Sequence, residues 1–246
     1  MLAPLRQDPA STGIFCDFDG TLAPIVDDPA AALAVPGTAG VLAGLASRYA
    51  RVGIISGRPA AFLAEHFAGR GLMLSGLYGL EEVTAEGVVS NDAAEAWRSA
   101  VDEVAGRTER AGIAGVGVER KGLSVTLHYR TDPALEPETR LWAETEAQRT
   151  GLVVHAARMS YELRPPVPCT KGTVLAEAGA GLGAVCFMGD DHADIEAFDV
   201  LDALQAGGTH CLRVAVASTE APAELLARAD AVVDGPTGVL ALLRRL

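Results

Sequence analysis

The sequence predicts an α/β fold: a Rossmann-like core built on a mainly parallel sheet, with an α+β domain inserted into it. Three observations carry this prediction. At both ends of the chain, apolar strand-like runs alternate with Ala-rich helical stretches, the pattern of a parallel sheet covered on both faces. Several of these runs close on carboxylates or a hydroxyl, at the strand ends where such sheets bind ligands. Between them lies a charged middle segment of different character, with longer amphipathic helices and paired alternating strands.

Taken in order, residues 14–18 read as the first strand, an apolar run that closes on Asp17-Phe18-Asp19-Gly20-Thr21. Residues 37–48 place Val41, Leu42 and Leu45 at helical spacing. Residues 51–56 form a second strand ending at Ser56-Gly57-Arg58, residues 60–68 a helix, and residues 72–75 a third strand. In the middle, residues 93–110 read as one long amphipathic helix. Residues 117–119 and 124–129 alternate like a hairpin around Arg120-Lys121-Gly122. Residues 138–149 form a second charged helix, and 152–155 with 160–163 another strand pair. The Pro-rich junction Arg164-Pro165-Pro166-Val167-Pro168 leads stiffly back. The core then resumes with a helix over 173–180, strands over 184–188, 212–217 and 231–234, and helices over 195–205 and 238–246. The expected division is a core of residues 1–90 and 165–246, interrupted by a domain of residues 91–164.

Composition limits the partners. The chain has 246 residues, 21% of them charged and 49% hydrophobic, so it has apolar surface enough for a real core. Its net charge is −12 with no basic run, which argues against nucleic acid and anionic membranes. An acidic chain that handles an anionic substrate needs local cations. The 20 basic residues include only two lysines, Lys121 and Lys171. In so Arg-rich a chain, a retained Lys suggests a position that wants a compact ammonium. Residues 91–164 hold 10 basic and 12 acidic residues, against 10 and 20 in the rest, so the inserted domain has the charge to close over an anion as a lid. Four cysteines without CxxC spacing suit reduced thiols in the cytosol. No apolar run is long enough to span a bilayer, and the N-terminus lacks the pattern of a leader.

The chemistry lies in four short pieces. Asp17 and Asp19, two residues apart at a strand end, suit a nucleophile and a general acid/base, both pointing the same way out of the pleat. Gly189-Asp190-Asp191 follows another strand, and Asp194 can cap the next helix. Brought near Asp17, Asp190 would complete a hard oxygen site suited to Mg²⁺. The Ser56-Gly57-Arg58 turn offers a hydroxyl and free N–H groups to phosphoryl oxygens. Lys171-Gly172 stands just ahead of a helix, where a lysine is electrostatically disfavoured and so asks for a functional reason.

In this order, Asp17-Phe18-Asp19-Gly20-Thr21, Ser56, Lys171 and Gly189-Asp190-Asp191 resemble the four motifs of the haloacid dehalogenase superfamily of phosphohydrolases. Within it, Thr21-Leu22-Ala23-Pro24-Ile25, Val118-Glu119-Arg120-Lys121, His128-Tyr129-Arg130 and Glu162-Leu163-Arg164-Pro165 look like trehalose-6-phosphate phosphatases. The likeness runs over nearly the whole chain, and the insertion stands where the superfamily places its cap. It implies Asp17 as nucleophile through an aspartyl-phosphate, Asp19 as acid/base, and Lys171 and Ser56 as phosphate holders. It implies Mg²⁺ on Asp17, the Asp19 carbonyl and Asp190, with Asp191 and Asp194 orienting that site. Substrate binding falls to Thr21, Gly57, Arg58, Glu119, Lys121, Arg130, Glu162 and Arg164. The chain departs from the pattern at Leu77-Tyr78-Gly79-Leu80-Glu81, Cys169-Thr170 and Ala193-Asp194-Ile195-Glu196. These leave the catalytic groups intact, and the first two bear on which sugar is taken. A phosphatase of another sugar or pseudo-disaccharide phosphate (sucrose phosphate, or a glucosyl- or mannosylglycerate phosphate) and a non-catalytic sugar-phosphate sensor are the alternatives. A trehalose-6-phosphate synthase is the expected functional link.

Overall fold

The computed structural model describes residues 1–26, 31–157, 159–219 and 221–246. They form two compact units, Met1–Val89 with Cys169–Leu246, and Ser90–Pro168.

In the first unit the strands are β1 (Thr12–Cys16), β2 (Arg51–Ile55), β3 (Met73–Gly76), β4 (Glu81–Thr84), β5 (Gly87–Ser90), β10 (Ala184–Gly189), β11 (His210–Ala217) and β12 (Ala231–Asp234). Among the described residues they make one sheet in the order β12-β11-β10-β1-β2-β3-β4-β5. The run from β12 to β3 is parallel, and β4 turns back antiparallel on β3. The chain winds outward one way from β1 to β3 and the other way from β10 to β12. The ends of β1 and β10 therefore meet at the switch point, where a crevice opens in such sheets.

Side chains alternate between two apolar layers, which is why the strands read as unbroken apolar runs. Ile14 and Cys16 of β1 pack with Ile54, Met188 and Val214 into one layer, together with Leu42, Leu63 and Leu243. These three come from α2 (Thr38–Ala46), α3 (Ala60–Phe67) and α10 (Gly235–Leu243). Phe15 and Phe187 point the other way, onto Leu175, Phe198 and Leu225. These belong to α7 (Lys171–Gly179), α8 (Ile195–Ala206) and α9 (Ala223–Arg228). Burying each such phenylalanine contributes roughly 2–3 kcal/mol.

Ser90–Pro168 carries α4 (Asp92–Glu95), α5 (Arg98–Ala111), β6 (Gly117–Arg120), β7 (Val125–His128), α6 (Glu136–Thr150), β8 (Val153–Ala157) and β9 (Ser160–Arg164). Its antiparallel sheet runs β6-β7-β9-β8. One face, with Val125, Leu127, Tyr161 and Leu163, packs on Val101, Val104 and Ala143 of α5 and α6.

The structure departs from the sequence expectation at several places. The first strand ends at Cys16, not at residue 18; Asp17 still bonds the ladder through its N–H, and the turn beyond it carries Asp19. The helix expected over 93–110 is two helices. Asn91 caps the short first one by accepting from the N–H groups of Ala93 and Ala94, and the chain leaves helical bonding before Trp97, whose ring packs in the apolar layer. The helix α1 (Ala3–Gln7), the hairpin strands β4 and β5, and α9 were not expected. Among the described residues, no helix is long and apolar enough to cross a membrane.

Candidate active site

Three adjacent strands deliver the acidic and hydroxyl groups. Asp17 follows β1, still in ladder register through its N–H to the Met188 carbonyl at 2.9 Å. Ser56 follows β2, and Asp190 follows β10. Gly20 turns the chain after Asp19 at φ +79°, and a Cβ there would run into the Asp190 carboxylate. Glycine is needed twice over at this position, for its conformation and for the close approach.

Lys171 is the first residue of α7. That start is fixed by a reciprocal cap in which Thr170 Oγ1 accepts from the Thr173 N–H and Thr173 Oγ1 accepts from the Thr170 N–H. A cation at a helix start is unfavourable, and here it is held by carboxylates. Lys171 Nζ lies 2.8 Å from Asp17 Oδ1, 2.7 Å from Asp194 Oδ1 and 3.8 Å from Asp191 Oδ1. Lys171 is 2% and Asp17 3% exposed. Burial opposes the lysine's charge, but Asp17, Asp194 and Asp191 outweigh it and hold the ammonium well above its usual range. Burial likewise pushes the Asp17 carboxyl up to about 8, with Lys171 working against the rise.

Asp194 is fully committed. Its Oδ1 takes Lys171, and its Oδ2 accepts from the N–H groups of Asp190 and Asp191 at 2.9 and 3.0 Å. Asp191 caps the same turn by accepting from the Ala193 N–H. One oxygen each from Asp17, Asp190 and Asp194 lies within 4.8 Å of the others. With Asp194 engaged, the groups that fit a hard divalent cation are the carboxylates of Asp17 and Asp190. That is the small all-oxygen protein share Mg²⁺ commonly takes, leaving positions for water and phosphate. Thr21, expected at the substrate, turns its buried hydroxyl to Asp190 Oδ1 at 3.4 Å.

Asp19 is held apart from Asp17 by a fork. Arg58 Nε donates to its Oδ2 at 2.7 Å and Nη2 to its Oδ1 at 2.6 Å, while the guanidinium lies 4.8 Å from the centre of the Phe62 ring. Ser56 Oγ accepts from the Arg58 N–H at 3.1 Å. Residues 77–79 latch this loop from behind: Leu77 N–H donates to the Arg58 carbonyl and Tyr78 N–H to the Ser56 carbonyl, each at 2.9 Å. Leu77 and Tyr78 hold φ of +47° and +61°, a strain that bulky residues carry only where the surroundings impose it. Glu81 Oε2 accepts from the Ala60 N–H at 2.8 Å and so caps α3. The departure at residues 77–81 thus supports the Ser56 loop, a role that residue spacing alone does not reveal.

In the second unit, the sheet face opposite α5 and α6 is polar. Lys121 Nζ lies 3.5 Å from Glu162 Oε1 and 3.8 Å from Glu119 Oε2, so the structure brings these three expected residues together. Ser124 Oγ donates to Glu162 Oε1 at 2.6 Å, and His128 Nε2 meets Glu119 Oε2 at 2.9 Å. Burial pushes the His155 imidazole down to about 4, helped by Arg164 and opposed by Glu162. Arg130 stands in the turn after β7, and Arg164 ends β9. Sequence reading passed over Ser124, Thr126 and His155, and gave His128 no role of its own. The alternation Ser124-Val125-Thr126-Leu127-His128 was the signal that three of them share a face.

A family model described as trehalose-phosphatase matches residues 15–230. The chain belongs to the trehalose-phosphatase family. Its relatives include the trehalose-phosphate phosphatase of Mycobacterium leprae (strain TN), 36% identical over 79% of this chain and 49% of the relative. That of Mycobacterium tuberculosis (strain ATCC 25618 / H37Rv) is 33% identical over 84% of this chain and 54% of the relative. The chain thus spans about half the length of the curated relatives it matches. Among solved structures, the C-terminal domain of Candida albicans trehalose-6-phosphate phosphatase superposes with a TM-score of 0.79 at 25% identity, covering 98% of this chain and 94% of that one. A haloacid dehalogenase-like hydrolase from Bacteroides thetaiotaomicron shares the fold, with a TM-score of 0.63 at 17% identity over 95% and 98% of the two chains.

Proposed function

We propose that this chain is a phosphoric monoester hydrolase that cleaves trehalose 6-phosphate to trehalose and phosphate with Mg²⁺, through an aspartyl-phosphate. The observation that carries the chemistry is the buried Asp17 carboxylate, 2.8 Å from Lys171 and beside Asp190. The family carries the substrate.

Asp17 attacks phosphorus in line, and the bond from phosphorus to the sugar oxygen breaks. Asp19 gives a proton to that departing oxygen. It then takes one from the water that attacks the phosphorus of the aspartyl-phosphate, which frees Asp17 and inorganic phosphate. Lys171 and Ser56 hold the non-bridging oxygens, with Gly57 and Arg58 completing the turn. When bound on Asp17, Asp190 and the Asp19 carbonyl, Mg²⁺ supplies the positive charge that offsets repulsion between carboxylate and phosphate. Asp194 and Asp191 keep Lys171 and the Asp190 loop in place. Glu119, Lys121 and Glu162 hold sugar hydroxyls, with Arg130 and Arg164 in the same binding set. The reading carries a cytoplasmic setting, consistent with four free cysteines, and a trehalose-6-phosphate synthase as source of the substrate.

The test is phosphate release from purified protein across a panel of sugar phosphates, with Mg²⁺ and with EDTA. Fast, EDTA-sensitive turnover that strongly favours trehalose 6-phosphate is expected. Metal-dependent turnover favouring another sugar phosphate overturns the substrate and keeps the mechanism. Binding without turnover overturns the mechanism.

A further inference from the structure

The polar face of the inserted sheet carries a buried hydroxyl whose chemistry is not accounted for. Strand register sets Glu119 of β6, Thr126 of β7, Glu162 of β9 and His155 of β8 in a single row across the sheet. Neighbouring strands stand about 4.8 Å apart, so the Thr126 hydroxyl is flanked by the carboxylate-bearing strands on both sides. Each flanking carboxylate has its own anchor: Glu119 meets His128 and Lys121, and Glu162 takes Ser124 and Lys121. Thr126 is 2% exposed, and among the described residues its Oγ1 has no hydrogen-bond partner.

A buried hydroxyl without a partner is costly, and valine would fill the same shape without that cost. The neighbouring buried hydroxyl on this face, Ser124, is satisfied by Glu162. Among the described residues, Thr126 Oγ1, on the same face, is left without such a partner. What would complete Thr126 is a small neutral group that can donate and accept at once, lying where carboxylates can also accept. Adjacent hydroxyls of a pyranose ring have that chemistry.

We propose that Thr126 is a specificity-determining residue, whose hydroxyl bonds one hydroxyl of the sugar ring that Glu119 and Glu162 hold. The inference rests on the sugar-phosphatase reading above. Sugar-hydroxyl recognition by Thr126 penalises a substrate lacking that hydroxyl, because the buried threonine is then left unpaired.

The test compares wild type, Thr126→Val and Thr126→Ser on trehalose 6-phosphate and on p-nitrophenyl phosphate, which has no sugar. The readout is the ratio of kcat/KM for the two substrates. In T126V the ratio falls about five- to tenfold, the value of one neutral hydrogen bond. T126S, which keeps the hydroxyl, stays near wild type. T126V also melts at or above the wild-type temperature, so the loss is not a folding defect. A T126V ratio within about twofold of wild type, below the span of one such bond, overturns the inference and leaves the enzyme reading standing. Wild-type protein that hydrolyses p-nitrophenyl phosphate but not trehalose 6-phosphate overturns both.

Discussion

Asp19 and Arg58 form a two-pronged ion pair: the guanidinium donates to both carboxylate oxygens, at 2.7 and 2.6 Å. A carboxylate so held is aimed but occupied, since proton transfer to a leaving oxygen needs one of its oxygens released. On the proposed mechanism, Arg58 both positions the acid and must yield to it. Asp19→Asn should slow trehalose 6-phosphate hydrolysis by about a hundred- to ten-thousandfold. It should slow p-nitrophenyl phosphate far less, because that leaving group needs little protonation. Arg58→Ala should follow the same pattern more weakly. Equal losses on both substrates in R58A would detach Arg58 from the acid's positioning.

On the proposed mechanism, Asp17→Asn removes the attacking oxygen while keeping the shape. Turnover should fall by at least about a thousandfold on every substrate, good leaving group or poor. Steady-state phosphate release checks this, and near-normal activity would assign the nucleophile elsewhere.

Gly20→Ala tests the metal site without replacing a ligand. A Cβ at residue 20 collides with the Asp190 carboxylate, and φ of +79° disfavours alanine as well. The Mg²⁺ concentration for half-maximal activity should rise at least about tenfold. An unchanged Mg²⁺ dependence would show that Asp190 does not hold the cation.

The pH dependence follows from Asp17. Burial pushes its carboxyl up to about 8 in the metal-free chain, against Lys171. The folded chain thus holds a proton more tightly than the unfolded chain, and metal-free stability should fall as pH climbs from the ordinary carboxylate range towards 8. Mg²⁺ must displace that proton, so its affinity should rise by up to about tenfold per pH unit below 8 and level off above. Mg²⁺ titrations of thermal stability from about pH 6 to about pH 9 check this; a flat affinity would show that Asp17 binds no proton to be displaced.

The sequence exposed those parts of the site that are local. Asp17, Ser56 and Asp190 each close an apolar run, and a parallel sheet brings such ends together at its switch point. Lys171 stood out because a lysine is out of place at a helix start. The pairing of Arg58 with Asp19 was hidden, as was the capping of α3 by Glu81, since each joins residues from different loops. The hairpin of β4 and β5 was missed because Glu81-Glu82-Val83-Thr84 lacks an apolar face. Thr126 is half legible: alternation puts it on the face of Ser124 and His128, but only the register of β9 sets it beside Glu162.

The placement of β1 in the sheet also bears on how the chain is made. β1 lies between β2 and β10, and its pairing with β10 joins Thr12 to Ala184. During synthesis from the N-terminus, one edge of this wholly buried strand stays unpaired until most of the chain has been translated. An open apolar edge is a template for wrong partners. Closing that edge is also what brings Asp17, at the end of β1, beside Lys171 and Asp190.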